Sequence, residues 1–282
     1  MKPTKTLSLA GLFAVGLLGA ALPAQADTLV TFSEAPNQTT STLSGTQVFN
    51  FDNLSTGLNT NVNWSGVGTF NQLYIKGADQ YGGAADAAYP NGSKYQVEGA
   101  GSGYLSSTLT LNTPSSYFGM WWSAGDPNNV LTFYDGSTVV AQYTTASLMA
   151  ALPASYDGNP LDRTENSTQP YAFINFYGTP TTQWTSIVFS NTNSTGFEAD
   201  NFTVRAAAWN PTTDGPIDGT PVAEVTGTTT TPVTPQDLVG TQWAAGAPAA
   251  PAPPLPMLVA FGAVALLKWR KSSGSTAQPQ NA

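Results

Sequence analysis

Two carboxylates separated by one residue stand in FEADN, residues 197–201. In an extended strand Glu198 and Asp200 share one face, and Phe197 and Ala199 take the other. Paired oxygens of this kind suit a hard cation such as calcium, which takes six or more oxygen ligands. Glu34, near the end of the first β-like segment, would complete a structural calcium site if the terminal strands are neighbours. The same letters also fit solvated carboxylates at a sheet edge. A second chemistry sits at Trp121 and Trp122, adjacent residues whose side chains must leave a strand on opposite faces. An exposed Trp beside Asp126, Asn128 and Asn129 would suit the apolar face of a sugar ring, with the polar groups taking its hydroxyls. Burial of both rings under loops is the alternative. The third chemistry is carboxylate-dependent hydrolysis by Glu198 with Asp200 or Asp157 with Asp162. A retaining glycosidase needs two carboxyls about 5 Å apart in a cleft, and spacing in sequence supplies no cleft.

Composition narrows these options. The 282 residues include no histidine and no cysteine. Imidazole acid/base chemistry, thiol nucleophiles, disulfides and nearly every zinc or copper site are therefore absent. Carboxylate, Lys or Tyr routes are what remain, which argues against an enzyme. The formal net charge is -8, and residues 27–254 carry 17 acidic side chains against 4 basic ones, Lys76, Lys94, Arg163 and Arg205. Such a surface repels nucleic acid and favours cations or neutral ligands.

The elements that must position these groups are β-strands. Segments 28–34, 47–53, 72–77, 94–99, 104–112, 116–122, 172–178, 185–191 and 196–204 carry apolar or β-branched residues at near-alternate spacing, with Asn, Gly, Ser, Asp and Pro between them. VLTFYDGSTVVAQY, residues 130–143, predicts a tight hairpin around Asp135 and Gly136, with Leu131 and Phe133 on one face. TTASLMAALP, residues 144–153, predicts one short helix capped by Thr144 or Thr145. The long Gly/Ala stretch 78–93 reads as structure rather than as a phosphate loop. The fold expected for residues 27–208 is all-β, an antiparallel β-sandwich of jelly-roll type. Residues 209–254, rich in Thr, Pro and Ala, read as an extended linker or stalk with no packed core.

Both ends read as address labels. Lys2 and Lys5 precede an apolar run over residues 7–22, and PAQA follows, which is a secretory signal peptide cleaved after Ala26. Near the other end, PAPPLP (251–256) leads into MLVAFGAVALL (257–267) and KWRK (268–271), with a tail over 272–282. Residues 255–267 would span about 20 Å as a helix, against about 30 Å of bilayer hydrocarbon.

That tail is similar to the sorting signal of exosortase-dependent, PEP-CTERM-type bacterial surface proteins: a proline motif with Pro251, Pro253, Pro254 and Pro256, an apolar helix, then Lys268, Arg270 and Lys271. It is a variant signal, since PAP and PPLP replace the Pro-Glu-Pro triplet. YFGMWWSAGDPNNVLTFYDG (117–136), YAFINFYG (171–178) and GFEADNFTV (196–204) also resemble recurring blocks in a cyanobacterial branch of that group. The resemblance implies export through a translocon, processing by an exosortase-like enzyme, and contact with the inner membrane through a transmembrane helix at 255–271. Release to, or attachment at, the cell surface, outer envelope or extracellular matrix would follow. It brings no catalytic residues. The expectation is an exported, non-catalytic surface or matrix protein with an adhesive or envelope role and no cofactor beyond a calcium ion. A lectin-like module contacting surface polysaccharide is the first alternative, and an extracellular hydrolase the second.

Overall fold

A computed structural model describes residues 27–33, 35–85, 89–99, 101–193, 195–233, 236 and 243. The chain divides into two units, Met1–Ala247 and Pro248–Ala282, and every described residue belongs to the first. The signal peptide, Glu34, most of the Pro/Ala spacer, the sorting motif and the tail all lie outside the described residues.

Fourteen strands form the body. They are β1 (Asp27–Phe32), β2 (Gln47–Phe49), β3 (Gly57–Trp64), β4 (Gly68–Lys76) and β5 (Tyr95–Glu98). Next come β6 (Ser106–Ser115), β7 (Tyr117–Ser123), β8 (Asn129–Asp135), β9 (Thr138–Thr144) and β10 (Ala172–Gly178). The last four are β11 (Trp184–Asn191), β12 (Phe197–Arg205), β13 (Thr220–Thr226) and β14 (Thr229–Pro232). Every strand pair is antiparallel. The main path runs β14-β13-β1-β10-β7-β12-β5-β4-β6-β11-β8-β9, with β2 added to β12 and β3 to β4. Its ends meet where Gln142 N–H donates to Gly227 O and Gly227 N–H to Val140 O, both at 2.8 Å. The sheet is thus nearly closed, an all-β barrel consistent with the sandwich or jelly-roll arrangement expected.

Closure puts one face of each strand into a shared aromatic interior. Phe118, Met120 and Trp122 of β7 point inward, with Phe133, Phe189 and Phe202 among the rings they join. Phe189 and Phe202 stack with centroids 4.6 Å apart. Each fully buried ring contributes roughly 1.5–3 kcal/mol. The outer faces of β7 and β10 are also covered. Tyr117 and Tyr177 pack with Leu29, Trp209 and Trp243, while Trp121 packs with Ala84, Ala124, Tyr171 and Phe173. Between β8 and β9 the hairpin closes through Gly136 and Ser137, with Gly136 at φ 58°. The expected helix is present as one turn, Thr145–Leu148 (α1). Thr144 and Ser147 cap it reciprocally, and a 3₁₀ turn, Met149–Ala151, follows.

Two expectations are corrected here. Residues 209–254 are not a linker from their first residue, because Trp209 is buried and β13 pairs with β1 along its length. TPVAEVT is rich in β-branched residues, and Pro221 sits where the register shifts, so it interrupts no regular ladder. The transmembrane helix is also withdrawn. Among the described residues no helix is long and apolar enough to cross a membrane. Residues 255–271 lie outside them, and their apolar run falls short of the hydrocarbon thickness in any case.

Candidate functional site

Strand β12 carries a bulge. It pairs with β7 as Asp200↔Trp121 and then Thr203↔Gly119, so one residue is extra on β12. Asn201 absorbs it at φ 49°. As a result Phe197, Ala199, Phe202 and Val204 all face the interior, leaving Glu198 and Asp200 on the outer face. The shared face read from the sequence for those two carboxylates is present.

They do not form one site. Asp200 is fully buried and filled with donors: Oδ2 accepts from Ser93 Oγ and from Ala84 N–H at 3.0 Å, and Oδ1 accepts from Asn201 N–H at 2.6 Å. Burial pushes its pKa up to about 7 against the pull of these hydrogen bonds. The carboxylate ties down the 77–94 segment, which covers Trp121. Glu34, the third expected calcium ligand, lies outside the described residues. Among the described residues no three carboxylates gather where a metal ion could sit. Of the two expected ligands that are described, the oxygens of Asp200 face N–H and O–H donors.

Glu198 points elsewhere. It lines a partly open cleft of about 260 Å³ together with Lys76, Tyr81, Asp126, Gln169 and Thr195. The cleft lies where the end of β4, the 77–94 segment, the β7–β8 turn, the segment before β10 and the β11–β12 turn converge. Glu198 is 4% exposed, yet its Oε2 has no hydrogen-bond partner among the described residues. Burial, and then the neighbouring Asp126 charge, push its pKa up to about 8. Asp126 is itself raised by burial, tempered by hydrogen bonds from Thr195 and from Gln169 Nε2 at 3.2 Å. Lys76 is paired with Asp79 at 2.9 Å and lies 5.9 Å from the Tyr81 ring centroid and 5.6 Å from that of Tyr95. Tyr81 stays 41% exposed.

Two backbone positions shape the cleft. Ala124, on its wall, holds φ 43°, a strained conformation for a residue with a Cβ. Gly196 holds φ 148°, and a Cβ there would come within 2.2 Å of Glu198 Oε1. Glycine lets the carboxyl lie across its own turn.

Of the five residues expected to hold a sugar, only Asp126 lines this cleft. Trp121 and Trp122 do leave β7 on opposite faces, but they are 1% and 0% exposed, so neither offers a ring to solvent. The stacking role expected of them is withdrawn. Asn129 is buried and its Oδ1 accepts from Asn191 Nδ2 at 2.8 Å, while the Asn128 main-chain carbonyl accepts from Thr192 N–H and its side chain does not line the cleft. Asp157 and Asp162 share no cleft. Asp157 lines a separate cavity beside α1, and Asp162 is exposed and bonded to Thr164. A larger groove of about 480 Å³ surrounds Arg205, but that guanidinium is consumed by Asp214 and by the carbonyls of Ser44, Ala207 and Ala208.

One further buried carboxyl went unread. Gln96 lies opposite Ala199 and Ile75, and Glu98 opposite Phe197, so both side chains enter the aromatic interior. Glu98 Oε1 accepts from Ser107 Oγ at 2.5 Å, and burial pushes its pKa up to about 8. Gln96 lies beside it and eases the ionised form, but neither Gln96 amide atom nor Glu98 Oε2 reaches hydrogen-bond geometry. The cleft residues Tyr81, Gln169 and Thr195 carry no signal in the sequence.

No protein-family model, curated protein or solved structure matches the chain.

Proposed function

We propose that this chain is exported and displayed at the cell surface or in the extracellular matrix as a non-catalytic binding domain. The observation that carries the binding role is the Glu198 cleft, a partly open polar pocket walled by a buried carboxyl whose Oε2 has no partner among the described residues. Export draws its support from the sequence: the signal-peptide pattern, and the resemblance of the tail to a sorting signal read by an exosortase-like enzyme. The jelly-roll body would then continue through β14 into a shorter Pro/Ala stalk than the sequence suggested, ahead of the sorting segment at 251–271. The absence of histidine and cysteine leaves few catalytic routes and favours recognition over turnover.

A second reading draws on one specific feature. Glu198, its pKa raised by burial to about 8, shares the cleft with the Asp126 carboxyl, and a protonated carboxyl paired with a second one is the machinery of a glycosidase. A panel of 4-nitrophenyl glycosides separates the two. No nitrophenol release above buffer is expected, and release abolished by Glu198→Gln would overturn the non-catalytic reading.

A further inference from the structure

A cleft that leaves a buried carboxyl oxygen unpartnered invites a ligand that can pair with it, because an orphaned buried polar group is costly. Glu198 Oε2 is such an atom, in a side chain 4% exposed on the wall of the 260 Å³ cleft. An independent observation lies at the same cleft: Tyr81 keeps 41% of its surface open beside this polar floor. Exposed aromatic surface next to convergent carboxyl, amide and hydroxyl groups matches a sugar ring, which has an apolar C–H face and a rim of hydroxyls. The charges at the cleft favour a neutral ligand over a charged one. An anion would meet Asp126 within a body of 17 acidic and 4 basic residues. A cation would meet the Lys76 ammonium, which already holds the Asp79 carboxylate. Small-molecule pockets begin at about 300 Å³, so this one takes a single ring rather than a chain.

We propose that the cleft binds one neutral sugar unit, its C–H face on Tyr81 and its hydroxyls read by Glu198, Asp126 and Gln169. The proposal rests on the binding reading above and names the ligand class of that site. Glu198 in its acid form both donates and accepts, as a hydroxyl partner requires, while Asp126 accepts and the Gln169 amide can do either. The Lys76–Asp79 pair holds the Tyr81 loop, since Tyr81 N–H also donates to Asp79 Oδ1 at 2.9 Å.

The test is a saturation-transfer NMR and calorimetric titration of residues 27–243 within the full exported chain against methyl glycosides of glucose, galactose, mannose, xylose and N-acetylglucosamine. At least one glycoside should bind with millimolar affinity, with transfer to its ring C–H protons. Tyr81→Ala should weaken it roughly tenfold, and the isosteric Glu198→Gln by several-fold, with neither variant melting below wild type. Val48→Ser, an exposed site away from the cleft, should leave binding as it was. Silence across the whole panel, binding that survives both cleft substitutions, or binding that chelation of divalent cations abolishes would each overturn the proposal. A surface-located protein that binds no glycoside would refute the sugar and leave display standing. A cytoplasmic location would refute display whatever the cleft binds.

Discussion

Replacing Glu98 by Gln should flatten the dependence of stability on pH. Glu98 sits inside the barrel with Oε1 on Ser107 and Oε2 unpartnered, and burial raises its pKa from 4.5 to about 8. The unfolded chain keeps the ordinary value, so between these two pKa values the folded protein holds a proton that the unfolded one has released. Stability is then greatest in mild acid and declines as pH rises through the folded pKa. One group contributes a slope of about 1.4 kcal/mol per pH unit, or about 3–4 kcal/mol in total between pH 5 and pH 8. Glu198 and Asp200, raised to about 8 and about 7, slope the same way and remain in the variant. Urea unfolding at intervals across that window, on wild type and Glu98→Gln, measures the difference. The variant should be nearly equal to wild type at pH 5 and clearly more stable at pH 8, since its amide still accepts from Ser107. Parallel curves would refute the placement of Glu98 in the interior.

Gly196→Ala should destabilise by more than about 1 kcal/mol, from backbone strain and the clash with Glu198, and a double-mutant cycle with Glu198→Ala in urea should recover the clash component. Trp121→Ala should cost about 3–5 kcal/mol by the same assay, because the ring is packed against Tyr171 and Phe173 rather than held out for a ligand. Asp200→Ala should leave the barrel folded but release the 77–94 segment, raising hydrogen exchange at the Ala84 amide roughly tenfold or more.

Much of the barrel was legible because its strands alternate in the ordinary way. LTF in β8 and FEADN in β12 put their apolar residues inward as their spacing indicates. The hairpin at Gly136 and the Thr144 cap follow from local chemistry that needs no distant partner. Strand β3, GLNTNVNW, was not legible, since its Asn-rich sequence carries little apolar signal and it is held by ladder bonds to β4. Strand β13 was hidden in a Thr/Pro-rich texture and gains its place from pairing with β1. In β5 the pattern misleads: Tyr95 and Val97 look like the core face, yet register places Gln96 and Glu98 inside while the outer pair is covered by the 77–94 segment. The cleft is the extreme case. Lys76 and Glu198 come from the ends of two strands and Asp126 and Gln169 from two connections, and only closure of the sheet brings them together.

Display outside the cell is the central proposal, and intact mass of the native protein in each cell fraction tests it most directly. A chain beginning at Asp27, recovered from the surface or extracellular fraction, is the predicted result. A chain that retains its first 26 residues and stays in the cytoplasm would contradict it.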